Sequence, residues 1–145
     1  MYVDESGFAA TTQRDYGWAP RGQKVQGLRS GNRRPRTSLL AALRHKRLLA
    51  PWLLDGTCNT LIFNTWLRQA LRPYLNADTV VVLDNASFHK SQETEQIITE
   101  TGAHLLFLPP YSPHLMPIEH TFGTLKKRRA YHPHLTLDQI VCMSC

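Results

Sequence analysis

Residues 79–127 read TVVVLDNASFHKSQETEQIITETGAHLLFLPPYSPHLMPIEHTFGTLKK, and the placing of apolar runs, acids and prolines in this stretch decides the fold. Val80–Leu83 is a short apolar run, rich in β-branched residues, that drives into Asp84. Such a run predicts a strand buried on both faces. Asp84 then sits at the strand's carboxyl end, where open α/β sheets bind their ligands. Leu105–Leu108 predicts a second buried strand that ends in the stiff loop PPYSPHLMP. Between the two, Ser91–Thr101 reads as a polar helix closed by Gly102, since glycine tolerates the left-handed conformation of a helix end. Pro117 suits a first helical position, its missing N–H being unneeded there. The helix it opens runs to about Arg129 and carries Glu119 third. Two carboxylates with thirty-four residues between them are thus delivered to one edge of a sheet.

A third acid lies upstream. In Tyr2-Val3-Asp4-Glu5-Ser6, Asp4 follows a short apolar start, as if at the end of a strand stub covering residues 1 to about 4. Glu5 falls on the opposite face of an extended chain and is the poorer ligand of the two. Three carboxylates from strand, strand and helix suit a hard divalent cation such as Mg²⁺, which takes oxygen ligands in octahedral geometry. A pair of such ions about 4 Å apart can activate an attacking oxygen and stabilise a leaving one.

Between the first and second acids the chain reads as follows. Gly7–Gly27 is a long connection, with at most one short strand, and Gly31–Pro35 a basic turn. Ser38–Leu43 and Leu48–Leu54 predict two strands joined by Arg44-His45-Lys46-Arg47. Thr60 is placed to cap a helix over Leu61–Leu71, with Leu61, Trp66, Leu67 and Leu71 on its apolar face and Pro73 ending it. Beyond the Glu119 helix, Thr136 and Gln139 have the spacing of a capping box and predict a last helix. Three strands, then helix–strand–helix–strand–helix, predict an α/β domain with a mixed sheet of about five strands flanked by helices.

Composition narrows the class further. The 145 residues form one domain, 42% of them apolar, with no apolar run of membrane-spanning length. Acidic Asp4 and Glu5 interrupt the N-terminus, so no signal peptide is expected. Cys58, Cys142 and Cys145 give no disulfide framework and suit a reducing compartment. The formal charge is +6, and nine of the seventeen Lys and Arg fall between Tyr16 and Leu54, where there is no Asp or Glu. Lys126-Lys127-Arg128-Arg129 forms a second cluster just after Glu119. Either cluster alone reads equally well as solvated surface. Together, flanking acids that would repel a polyanion, they favour phosphate contacts, and Arg29, Arg33, Arg34, Arg36, Lys126 and Lys127 are the candidates. His132, His134, Cys142 and Cys145 offer a single C-x-x-C pair at a chain end, a weak zinc signal.

The segments VDESGF, VVLDNASFHKS and LPPYSPHLMPIEHTFGTLKK resemble the catalytic core of DDE transposases, most nearly the bacterial insertion-sequence branch of the mariner-like superfamily. The resemblance runs from Tyr2 to about Ile140 and rests on motif order and the Asp84–Glu119 spacing. It implies a ribonuclease H-like fold, with Asp4, Asp84 and Glu119 as catalytic residues and ligands of two Mg²⁺ (or Mn²⁺) ions. The implied activity is cleavage of DNA at an element's terminal repeats and strand transfer into target DNA. A homodimer when full length, a nucleoid-associated place in a bacterial cytoplasm and no membrane follow by the same implication. The resemblance also sets Asn85 and His89 beside the second acid, His89 as a phosphate contact or a cap of the following helix.

Three departures from the family pattern stand out. His114 replaces an Asp, and Met116 replaces the Asn that would cap the Glu119 helix, a loss of about 1 kcal/mol. The chain also begins almost on the first catalytic strand, so residues 1–145 read as a catalytic domain without the family's N-terminal helix-turn-helix. Two other readings stay open: a catalytically inactive DNA-binding remnant, and a ribonuclease H-like nuclease acting on RNA–DNA hybrids.

Overall fold

The computed structural model describes residues 1–9, 21, 36–110 and 112–145. A five-stranded sheet in the order β3-β2-β1-β4-β5 organises them. Its strands are β1 (Tyr2–Ala9), β2 (Arg36–Arg44), β3 (Arg47–Asp55), β4 (Val80–Leu83) and β5 (His104–Phe107). β1, β2 and β3 are antiparallel neighbours, whereas β4 pairs parallel with β1 on one side and with β5 on the other. The mixed five-stranded sheet matches the expectation.

β1 is longer than the predicted stub. It pairs with β2 from Tyr2 opposite Leu43 to Ala9 opposite Arg36, so cross-strand pairing extends it through the polar residues Asp4, Glu5, Ser6 and Gly7. The β2–β3 connection is a two-residue hairpin, His45 and Lys46, both at positive φ (49° and 65°). That conformation matches the twist of the flanking strands. The expected connection and basic turn within residues 10–35 lie outside the described residues, apart from residue 21.

Helices cover both faces of the sheet. α1 (Thr60–Trp66) starts one residue earlier than predicted, because Asn59 rather than Thr60 caps it, accepting the Ile62 N–H at 2.9 Å. It continues as a π-helical stretch (Leu67–Leu71) and a 3-10 turn (Arg72–Tyr74), so Pro73 sits inside that turn instead of ending the helix at Leu71. Leu61 is 72% exposed, and Phe63 takes the core position expected of it. α2 (Gln92–Thr99) lies within the predicted Ser91–Thr101 span, with Ser91 as its N-cap, and Gly102 follows at φ +81°, as predicted. α3 (Pro117–Tyr131) and α4 (Leu137–Cys142) follow, and α4 carries the predicted capping box between Thr136 and Gln139.

The alternation of strand side chains separates two cores. Val3, Leu40, Ala42, Val81 and Leu83 point to one face and pack with Phe63, Trp66, Leu67, Leu71, Ile97 and Ile98. Phe8, Leu39, Ala41, Leu43 and Val82 point to the other and pack with Ile118, Phe122, Leu125, Ile140 and Val141. β5 is not a buried strand: it lies at the sheet's edge with Leu106 51% and Phe107 36% exposed. Val80 is likewise exposed, so burial on both faces holds only for the rest of β4.

Candidate active site

Tyr2 of β1 pairs with Val82 of β4, and the strands are parallel. Asp4 and Asp84 each stand two residues further along, Asp4 within β1 and Asp84 just past the end of β4, near enough for the Asp84 charge to act on Asp4. By strand alternation, Asp4 shares a face with Phe8, and that is the face covered by α3. Glu5 belongs to the opposite face, where its charge helps raise the Cys58 thiol to about 11, burial being the larger cause.

α3 brings the third acid. Pro117 occupies the first turn, and Met116 at the N-cap makes no side-chain cap bond, as its thioether predicts. The Glu119 N–H donates instead to the Met116 carbonyl at 3.1 Å. Met116 is buried with Ile118, Phe122 and Leu125 against the sheet. Apolar packing therefore anchors the helix start that a capping Asn would otherwise hold. Glu119 lines two cavities. One, of about 360 Å³, also has Asp84, Asn85, Pro110, Ser112 and Met116 in its wall. The other, of about 220 Å³, is lined by Asp4, Ser6, Phe122 and Lys126 as well.

The acids feel one another. Burial pushes the Asp4 carboxyl up to about 7; the Glu5 N–H, 2.8 Å from its Oδ1, opposes this, and the charges of Asp84, Glu119 and Glu5 add to it. Asp84 is held below the usual carboxylate range, first by its hydrogen bond with His89. The donor set consists of carboxylate oxygens, one of them raised to about 7 mainly by burial with the neighbouring charges adding to it, and it fits a hard divalent cation. Among the described residues, no three His, Cys, Asp or Glu side chains are drawn into an ion-sized group.

The basic candidates divide. Arg29, Arg33 and Arg34 lie outside the described residues. Arg36 starts β2, and its guanidinium lies over Gly7, where any side chain would collide with it. Lys126 shares the Asp4–Glu119 cavity and stands 5.7 Å above the centre of the Phe8 ring. Lys127 is exposed on the next position. His89 corrects both expectations for it. It is buried, so it cannot reach a phosphate, and Ser91 rather than His89 caps α2. Its Nδ1 lies 2.6 Å from Asp84 Oδ1. Only the five-residue spacing of Asp84 and His89 could have signalled this pair. The His132 and His134 rings meet edge-on at 5.7 Å, and Cys142 and Cys145 are free and exposed.

The family model described as DDE superfamily endonuclease matches residues 1–141. A comparison with curated proteins gives no significant match. Among solved structures, the Mos1 strand transfer complex matches with a TM-score of 0.71 at 21% identity, over 88% of this chain and 40% of the Mos1 chain. The mariner Mos1 paired end complex with Mg matches with a TM-score of 0.71 at 20% identity, over 88% of this chain and 41% of that one. A simian T-cell lymphotropic virus intasome in complex with the PP2A regulatory subunit B56 gamma matches with a TM-score of 0.58 at 15% identity, over 99% of this chain and 45% of that one. The fold is therefore ribonuclease H-like, and the chain spans about 40% of the length of the Mos1 chains it matches.

Proposed function

The chain belongs to the DDE superfamily endonuclease family, and from that premise we propose that it is the catalytic domain of a transposase. Its reaction is metal-dependent cleavage of DNA at an element's ends, followed by transfer of the freed 3′-hydroxyl into target DNA. The carrying observation is that Asp4 within β1 and Asp84 just past the end of β4 each follow the paired Tyr2 and Val82 by two residues, with Glu119 lining the cavity beside each. These three residues would hold Mg²⁺ or Mn²⁺, two ions by the family resemblance. Mos1 structures with Mg and with Mn support the choice of metal. Such ions supply charge neutralisation at the attacking and leaving oxygens.

The chain's own contribution is orientation and charge. Asp84 is held by His89 and by the Ala86 N–H. Buried Ile118, Phe122 and Leu125 fix the helix that carries Glu119. Lys126 stands where a phosphate approaching the acids needs a cation to offset their repulsion. No serine or tyrosine nucleophile and no covalent protein–DNA intermediate is invoked.

Residues 1–145 act as one catalytic unit in this reading. Its partners are terminal-repeat DNA and target DNA, in a homodimer when full length, in the nucleoid-associated cytoplasm of a bacterium. The Mos1 strand transfer complex and the Mos1 paired-end complex with left transposon end support the DNA class, and the wording of the LDNASFH and PPYSPHLMPIEH segments supports the insertion-sequence branch.

The deciding experiment compares wild type with Asp84→Asn on DNA carrying the element's ends. Wild type should nick with Mg²⁺ or Mn²⁺, and the variant should not, while its DNA affinity is unchanged or slightly higher. Equal nicking by the two would reject the assignment. A second reading is an inactive DNA-binding remnant, which absence of nicking by wild type would favour. Preferential cutting of RNA–DNA hybrids would instead point to a ribonuclease H-like nuclease.

A further inference from the structure

Asp84 is 45% exposed in its side chain, but the histidine bonded to it is 1% exposed. His89 ends the 3-10 turn Ser87–His89. Its ring lies in an aromatic slot, with centroids 4.4 Å from Phe63 and 4.1 Å from Phe88. An ionised carboxylate only accepts hydrogen bonds, so Nδ1 carries a proton and donates it to Asp84 Oδ1 at 2.6 Å. The same oxygen accepts the Ala86 N–H at 3.1 Å. Oδ2 accepts no hydrogen bond among the described residues.

The other ring nitrogen, Nε2, is buried with no hydrogen-bond partner among the described residues. A buried polar atom left unsatisfied costs free energy that an apolar ring in the same slot would avoid. Packing against Phe63 and Phe88 therefore does not account for a histidine here. The bond from Nδ1 does.

We infer that His89 is a positioning residue for a divalent cation at Asp84: its Nδ1–H, with the Ala86 N–H, occupies Oδ1 and leaves Oδ2 as the one oxygen offered to the ion. This rests on the reading of Asp84 as a ligand. The physical reason is coordination geometry. Mg²⁺ demands a near-ideal octahedron, and a carboxylate free to rotate offers either oxygen or both. Two hydrogen bonds to one oxygen reduce Asp84 to a single-oxygen ligand of fixed direction. Groups that hold a ligand in this way typically change metal affinity by about 10–100-fold when removed.

The test is Mn²⁺ binding to the full chain by calorimetry, with free Mn²⁺ followed by electron paramagnetic resonance, for wild type, Asp84→Asn, His89→Phe, His89→Asn and His89→Gln. His89→Phe fills the aromatic slot without the hydrogen bond. It should melt at or above the wild-type temperature without metal, yet bind Mn²⁺ about 10–100-fold more weakly. In His89→Asn the amide N–H reaches the place of Nδ1 and should restore most of the affinity. In His89→Gln it reaches toward Nε2 and should not. Wild-type affinity in His89→Phe, or equal affinities in the Asn and Gln variants should His89→Phe not fold, would overturn the inference. Asp84→Asn separates the two levels of the claim. Loss of binding there with no effect at His89 rejects only the inference, whereas wild-type binding in Asp84→Asn rejects the ligand reading and the inference with it.

Discussion

Asp4 and Asp84 lie near enough to feel each other's charge, each two residues beyond the paired Tyr2 and Val82 of adjacent parallel strands. Burial makes Asp4 costly to ionise, and repulsion from the Asp84 carboxylate adds to that cost. The arrangement is poorly suited to an ion-free protein at neutral pH and well suited to one that binds a cation.

The pH dependence of stability carries the sign of that strain. Asp4 titrates at about 7 in the folded chain, above its ordinary value of 3.8. Below pH 3.8 it is protonated in both states. Between 3.8 and 7 the unfolded chain releases its proton first, so stability falls as pH rises, and above 7 the loss is complete. Over that window the loss is at most about 4 kcal/mol. Asp84, with its value lowered, works in the opposite sense, so the contribution of Asp4 is read as the difference between wild type and Asp4→Asn in urea titrations from pH 4 to 8. Asp4→Asn should be the more stable at pH 8 without metal. Mg²⁺ should stabilise wild type more at pH 8 than at pH 5 and leave the variant nearly unaffected. A difference that does not change across this range would contradict the burial argument.

At Met116, a missing cap competes with core packing. Met116→Asn should regain about 1 kcal/mol from capping α3. It also removes an apolar side chain that is buried among Phe122 and Leu125, a loss of about 2–5 kcal/mol for large-to-small changes at such positions. The expected net effect is destabilisation, while Met116→Leu should stay within about 1.5 kcal/mol of wild type. Thermal melts of the two variants decide it, and a stabilised Asn variant would show that the cap outweighs the core.

Lys126 should act on DNA through charge. Lys126→Ala removes the cation beside Glu119 and Asp4. It should weaken DNA binding about equally for terminal-repeat and scrambled sequences and reduce the salt slope by about 1. Arg33→Ala combined with Arg34→Ala should likewise weaken binding to both sequences and reduce the slope by about 2. For the chain itself, binding should be weakly selective, with dissociation constants of about 10⁻⁴–10⁻⁶ M at physiological salt. A hundredfold preference for the repeat, seen in a titration at two salt concentrations, would show that the domain reads bases.

The α1–α2 contact rests on buried polar groups. Asn64 is fully buried; it accepts the Thr94 hydroxyl at 2.6 Å and donates to Glu93 at 2.8 Å. Asn64→Ala removes the acceptor of the Thr94 hydroxyl, which keeps only Ser91 Oγ at 2.7 Å, and should cost about 1–3 kcal/mol. Thr94→Val, tested in the same background, should add less than its own cost, since the two share one bond. Additive losses in denaturant titrations would indicate that the bond contributes little.

The sequence by itself determined the order of elements, the mixed α/β class and the chain positions of the three acids. These depend on short-range signals: β-branched runs entering an acid, Ser91 and Gly102 bounding α2, and Thr136 with Gln139 closing the first turn of α4. Tertiary structure decided what no local signal carries. β1 runs on through Asp4–Gly7 because β2 pairs with it along its whole length. β5, apolar in sequence, is half exposed because it falls at the sheet's edge. Met116 loses a cap and gains a core because α3 packs across β1 and β2. His89 meets Asp84 because a 3-10 turn folds its ring back into the Phe63–Phe88 slot. Local propensity acts over a few residues, whereas register, edge exposure and buried pairing follow from packing between segments far apart in the chain, and only the assembled sheet fixes them.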